Sequence, residues 1–265
     1  MTTIKPEQVK ISQIAFGALQ DSTYVKSQKH AFITHNNQKL CIQTPYFLTE
    51  TYGVPRAGEY YQTLKSRAFY KMPFCFDRRE FADEVDYDAV AVLHDKLVEI
   101  DALMSSAETK HKLFGEKNAE KYDYVPIVRQ PQVSDDDENV EQKKYYRPAF
   151  AKIKLDLAFD TEIPRFRLFD SSSGKRVEVQ MKSFEDALKH FRFMTKHRMI
   201  LNVFKVYASK TAGTGEKRKY GLVLKATAVE AANKTSVEDI NKKVLDIFLG
   251  DDEEDNVMDV WFKKI

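Results

Sequence analysis

Cysteine is scarce in this sequence. Cys41 and Cys75 are the two in 265 residues, and they show no CxxC spacing. A disulfide framework is excluded as the source of the fold, and both thiols are expected to be reduced core residues. Long apolar runs are missing as well. The longest span a few residues, far below the roughly 20 that a membrane-crossing helix needs. The first ten residues, MTTIKPEQVK, hold no apolar stretch of the kind a secretory signal carries. The expectation is an intracellular protein, of host cytoplasm, nucleus or virion, with no membrane partner. An overall charge of one sign is lacking too. Forty-two basic residues face 40 acidic ones, for a formal net charge of +2.

Catalytic signatures are equally sparse. His30, His35, His94, His111, His190 and His197 show neither HExxH nor CxxC…H spacing, so a zinc site has weak support. No GxSxG elbow occurs. GTGEK (213–217) is faintly similar to a phosphate loop. A Walker A loop, however, needs four residues between its glycines and a Lys followed by Ser or Thr, and here Lys217 precedes Arg218. With 40 carboxylates, acidic pairs arise by chance. The chain reads as a non-catalytic protein that needs no cofactor.

What is present is segregated charge. SDDDENVEQ (134–142) carries five acids and no base, and the tail 251–265 carries six acids and two bases. Setting those five and four negative charges aside from the formal +2 leaves a body of +11. Such a body suits a polyanion partner better than the overall balance implies. The segment 134–142 reads as a solvated acidic loop.

Periodicity sets the fold class. AFITHNNQKLCIQT (31–44) predicts a hairpin around His-Asn-Asn, because Asn tolerates the positive φ of tight turns. Residues 67–76 and 122–128 predict strands. Between them, Ala89, Val92, Leu93, Leu97, Ile100 and Met104 recur at helical steps, and a second short helix over about 106–114 ends at Gly115. AKIKLDLAF (151–159) alternates strictly, with Lys152 and Lys154 on its polar side. RFRLF (165–169) and RVEVQMK (176–182) predict a hairpin, with Arg165 and Arg167 on one face. Ser183 caps a helix over 183–194, and 201–208 and 220–230 are strands joined by the loop 209–219. A last helix spans 236–250, closed by Gly250. This inventory is α+β and β-rich, or a closed antiparallel barrel, with an inserted helical region near 85–114 and flanking helices. Residues 1–250 read as a single binding domain.

Two adjacent strands with basic outer faces, 151–159 and 165–169, predict a positive sheet surface. Ordinary solvent-facing charge is the alternative for any single residue. The loop adds Lys210, Lys217, Arg218 and Lys219, and its glycines let a phosphate chain approach closely. Bases stack on aromatic rings, and with 18 Phe and 13 Tyr the chain has many. Tyrosines beside basic or turn residues, Tyr207 and Tyr220 among them, are the candidates. The acidic tail ends near Trp261 and Phe262. It is either a competitor for the basic surface with an aromatic anchor for partner proteins, such as replication proteins, or an arm packed on the body.

Three stretches then resemble a known group: QKLCIQTPYFLTETYGVP (38–55), RPAFAKIKLDLAFDTEIPRFRLFD (147–170) and LNVFKVYASKTAGTGEKRKYGLVLKATAVE (201–230). They are similar, in this order, to the early single-stranded DNA-binding proteins of the nucleocytoplasmic large DNA viruses, African swine fever virus among them. The resemblance implies an oligonucleotide/oligosaccharide-binding (OB) barrel that holds single-stranded DNA without a cofactor. It points to the basic face of 151–169 and to the 201–230 hairpin, including Lys205. Oligomeric state stays open. The competing reading is a structural or minor virion protein whose charges serve protein contacts.

Overall fold

A computed structural model describes residues 2–49, 53–75, 85–131, 148–213 and 217–232. The acidic segment 134–142, the expected helix 236–250 and the tail with Trp261 and Phe262 lie outside the described residues.

The spine of the sheet is a long antiparallel hairpin, Lys196–Ser209 against Arg218–Ala232. Alternation explains both strands. His197, Met199, Leu201, Val203, Val206 and Ala208 of the first are buried, as are Tyr220, Leu224, Ala226, Val229 and Ala231 of the second. Most of the residues between them face outward, while Leu222, opposite Val206, packs against the core. Three short strands line each outer edge. Phe47–Leu48, Cys41–Gln43 and Gln28–His35 run antiparallel to the first long strand. Tyr122–Val125, Phe150–Leu155 and Arg167–Asp170 run parallel to the second. Phe69–Pro73 pairs antiparallel with Phe150–Leu155 on its far side.

The α+β, strand-rich class is as expected, but the OB-like antiparallel barrel is not what forms. The sheet is mixed and does not close. An antiparallel barrel needs every neighbour to run in the opposite sense, and the second long strand has three parallel neighbours. Parallel neighbours need a crossover connection in place of a tight turn. A second correction follows. Phe150–Leu155 and Arg167–Asp170 are not paired with each other; both lie along one edge of the same long strand.

Helices cover part of the inner face. Tyr87–Ser105 buries Val90, Leu93, Leu97, Ile100 and Met104. The expected stripe is right from Leu93 onward, but Val92 is 41% exposed, so the buried face starts from Val90 instead. Asp86 caps this helix and Ser106 caps the next, Ala107–Phe114, which ends at Gly115 with φ of 75° as its sequence predicts. The helix is tied to the strands at its last turns. Asp101 accepts from the Tyr124 hydroxyl at 2.6 Å and from the backbone N–H groups of Ile127 and Val128 at 2.8 and 3.0 Å. The expected helix 183–194 shortens to Phe184–Leu188, held by a Ser183–Asp186 capping box. Asn36 and Asn37, at φ of 49° and 59°, make the predicted hairpin turn. Cys41 and Cys75 are both buried. Among the described residues no helix is long and apolar enough to cross a membrane, and no group of three or more His, Cys, Asp or Glu could hold a metal.

Candidate nucleic-acid interface

The outer face of the sheet is built around an irregularity. Val203 pairs with Leu224 and Lys205 with Val223, so Phe204 is an extra residue in the first long strand. A bulge of this kind re-aims side chains. Here Phe204 and Lys205 both fall between the inward Val203 and Val206. On the next strand Phe32 lies opposite Lys205 and is 53% exposed. Phe32 and Phe204 meet edge to face with ring centres 5.9 Å apart.

Lysines surround these rings. Lys205 and Lys225 lie 5.7 and 5.3 Å from the Phe204 ring centre. Lys225 pairs directly with Lys154 in the sheet register, and Lys152 with Lys71. Lys152 sits over Phe69 at 3.8 Å, and Lys71 over Phe150 at 5.0 Å. Lys225 and Lys154 share Asp156 at 2.5 and 3.2 Å. Burial alone would raise the Asp156 carboxyl, but these two lysines hold it below the usual value. Lys205 makes no ion pair among the described residues. Partial burial lowers its pKa, and the like charges of Lys154 and Lys225 lower it further. Lys152 is depressed in the same way, by burial and then by Arg129 and Lys71. A surface that crowds cations against their own solvation is poised for an anion.

Tyr207 extends the aromatic set. It pairs with Gly221, and a Cβ at that glycine would stand 3.0 Å from the tyrosine oxygen, 3.1 Å from its ring edge and 2.9 Å from the Val125 carbonyl oxygen. The ring therefore lies across the bare glycine backbone. Gly221→Val is expected to push Tyr207 off the sheet and to destabilise the fold by about 1–3 kcal/mol, read as a lower midpoint in urea. An unchanged midpoint would contradict the close approach.

The chain is also similar to a viral protein. It is 27% identical over 244 residues to the uncharacterized protein R505 of Acanthamoeba polyphaga mimivirus. The match covers 83% of this chain and 57% of the mimivirus protein. It suggests an origin among the nucleocytoplasmic large DNA viruses. No family model matches the chain.

The described residues singled out from sequence, Tyr220 apart, fall into three groups. Lys152, Lys154, Lys205 and Tyr207 come together on the outer face. Lys210, Lys217, Arg218 and Lys219 lie at the far end of the long hairpin, but not as free loop cations. Lys210 pairs with Asp21 at 2.7 Å, Lys217 and Lys219 stand 3.8 and 3.6 Å from Asp123, and Arg218 begins the second long strand and donates to the Tyr122 hydroxyl. Arg165 and Arg167 lie elsewhere, beside the second strand's other end. Arg165 is exposed, and Arg167 is held by both oxygens of Glu178 at 2.8 Å. Tyr220 belongs to none of these groups. It is fully buried, donates to the Met104 carbonyl at 2.6 Å, and has no face to offer a base. Sequence reasoning missed Phe32, Phe204, Lys225, Lys71 and Arg129. The signal for one of them, Phe204, is the run Val203-Phe-Lys-Val206, where strict alternation breaks.

Proposed function

We propose that this protein is a non-catalytic single-stranded DNA-binding protein, and that the strand lies on the outer face of the sheet. The observation that carries the reading is one surface on which Phe32, Phe204 and Tyr207 are ringed by Lys152, Lys154, Lys205 and Lys225. Single-strand binding needs a positive track for phosphates and aromatic faces for bases, each base stack contributing about 1–3 kcal/mol. A duplex keeps its bases stacked on one another and offers this surface only phosphates. The resemblance of three stretches to viral single-strand binders supports the same reading, and the similarity to a mimivirus protein supports only its viral setting. A role in viral DNA replication or repair follows from it.

Fluorescence anisotropy with a labelled oligothymidylate and with a duplex of equal length tests the proposal. Affinity for the single strand is expected to exceed that for the duplex by about tenfold or more, the worth of one stacked base. Log affinity is expected to fall with log salt at a slope of about −0.7 per neutralised phosphate, so that five contacts give about −3.5. Equal affinity for both forms, or a slope near zero, would overturn the reading.

A further inference from the structure

We infer that the outer face carries a second anchor for the same polyanion, a cleft formed by Arg167, Arg176 and Arg198, so that a bound strand runs lengthwise along the long hairpin. The inference rests on the proposed single-strand binding and adds its path. The cleft encloses about 390 Å³ and is lined by these three arginines with Phe169 and Glu230. Arg198 and Glu230 pair in register across the two long strands, on the face that also carries Lys205 and Lys225. Arg198 lies 4.6 Å from the Tyr46 ring centre and Arg167 4.9 Å from that of Phe169, so two of the three arginines have an aromatic partner.

Two carboxylates organise the cleft. Glu230 accepts from Arg198 at 2.6 Å and lies 3.0 Å from Arg176, and its side chain is only 11% exposed. Glu178 holds Arg167 from the rim. The Arg167 and Arg176 side chains remain 64% and 54% exposed. A guanidinium bound on one edge by a carboxylate keeps donors on its other edges, and arginine's fork matches phosphate oxygens. The chemistry therefore fits a phosphodiester chain, with Tyr46 and Phe169 as further flat surfaces beside it.

The two anchors are far enough apart to be told apart. Six residues separate Arg198 from Phe204 on one strand, about 20 Å at roughly 3.3 Å per strand residue. A strand stacked as in B-DNA rises about 3.4 Å per nucleotide. A four-nucleotide strand seated on the phenylalanines therefore stops short of the arginines, and a twenty-nucleotide strand reaches them.

The test is anisotropy with dT4 and dT20 against wild type, Arg167→Ala/Arg176→Ala and Phe32→Ala/Phe204→Ala. The arginine variant is expected to weaken dT20 about fivefold or more at low salt and to reduce its salt slope by about 1.4, two contacts' worth, while dT4 changes less than about twofold. The phenylalanine variant is expected to weaken both. If the arginine variant binds dT20 as wild type does, the second anchor is wrong while the primary surface stands. If the phenylalanine variant binds both oligonucleotides normally, the primary reading itself fails. Arg176 touches the buried Glu230, so Arg167→Glu alone, at a rim position, serves where the double variant melts early. Wild-type dT20 affinity in that folded variant likewise overturns the inference.

Discussion

Replacing Lys152 and Lys205 together with methionine is expected to weaken single-stranded DNA binding about tenfold or more at low salt, and to leave the melting temperature unchanged or higher. The two effects have opposite sign for one reason. In the free protein both ammonium groups have folded pKa values below those of the unfolded chain, by burial first and by neighbouring cations second. The charged form is thus disfavoured by folding. Between the depressed folded value and the ordinary lysine value near about 10.4, the unfolded chain binds more protons, so stability rises with pH through that window. Below it, at neutral pH, the full cost of the two charges is present. Methionine keeps the aliphatic reach over Phe69 and Phe204 and removes that cost. Phosphates reverse the balance, because the crowded cations then gain partners. Calorimetry and anisotropy on one preparation read both effects. A variant that melts early and binds normally would show these lysines to be structural.

Tyr220 is expected to behave in the opposite way. Tyr220→Ala removes a fully buried ring packed among Phe114, Tyr122 and Tyr124 and a hydroxyl bonded to the end of a helix. A cavity of that kind costs about 3–5 kcal/mol, a large share of the roughly 5–15 kcal/mol that holds an ordinary domain together. Tyr220→Phe keeps the ring and loses the hydrogen bond, at about 1 kcal/mol. Both costs appear as shifts in the denaturation midpoint, and the phenylalanine variant is expected to bind DNA as wild type does. Reduced DNA affinity in a stably folded Tyr220→Phe protein would mean that the hydroxyl reaches the ligand.

These two positions show what was legible in the sequence. Alternation in Phe150–Leu155 put Lys152 and Lys154 on the solvent side correctly, because a strand with one face in the core must present the other. The same rule applied to Tyr207 needs the bulge at Phe204, which moves the later residues of that strand by one face, whereas Tyr220 alternates with the buried Leu224 and Ala226 and points inward without it. Proximity to basic residues made the two tyrosines look alike, whereas Tyr220 points inward to the helix and Tyr207 outward over Gly221. Phe32 and Phe204 went unseen because sequence cannot say that 172 residues of separation end as neighbouring strands. Lys217 and Lys219 read as loop cations because Asp123, their partner, arrives from a parallel strand, and parallel pairing leaves no local signature comparable to a hairpin turn. The hairpin at Asn36–Asn37 and the stop at Gly115 were legible because each depends on a single residue's access to positive φ.

Photo-crosslinking with an oligothymidylate carrying 5-iodouracil tests the central claim most directly, since the excited base couples to aromatic side chains it stacks on. Peptide mapping after irradiation is expected to place the crosslinks at Phe32, Phe204 or Tyr207, and they should vanish when salt releases the DNA. Crosslinks confined to the opposite side of the molecule, at Tyr87 or elsewhere on the Tyr87–Ser105 helix, would contradict it.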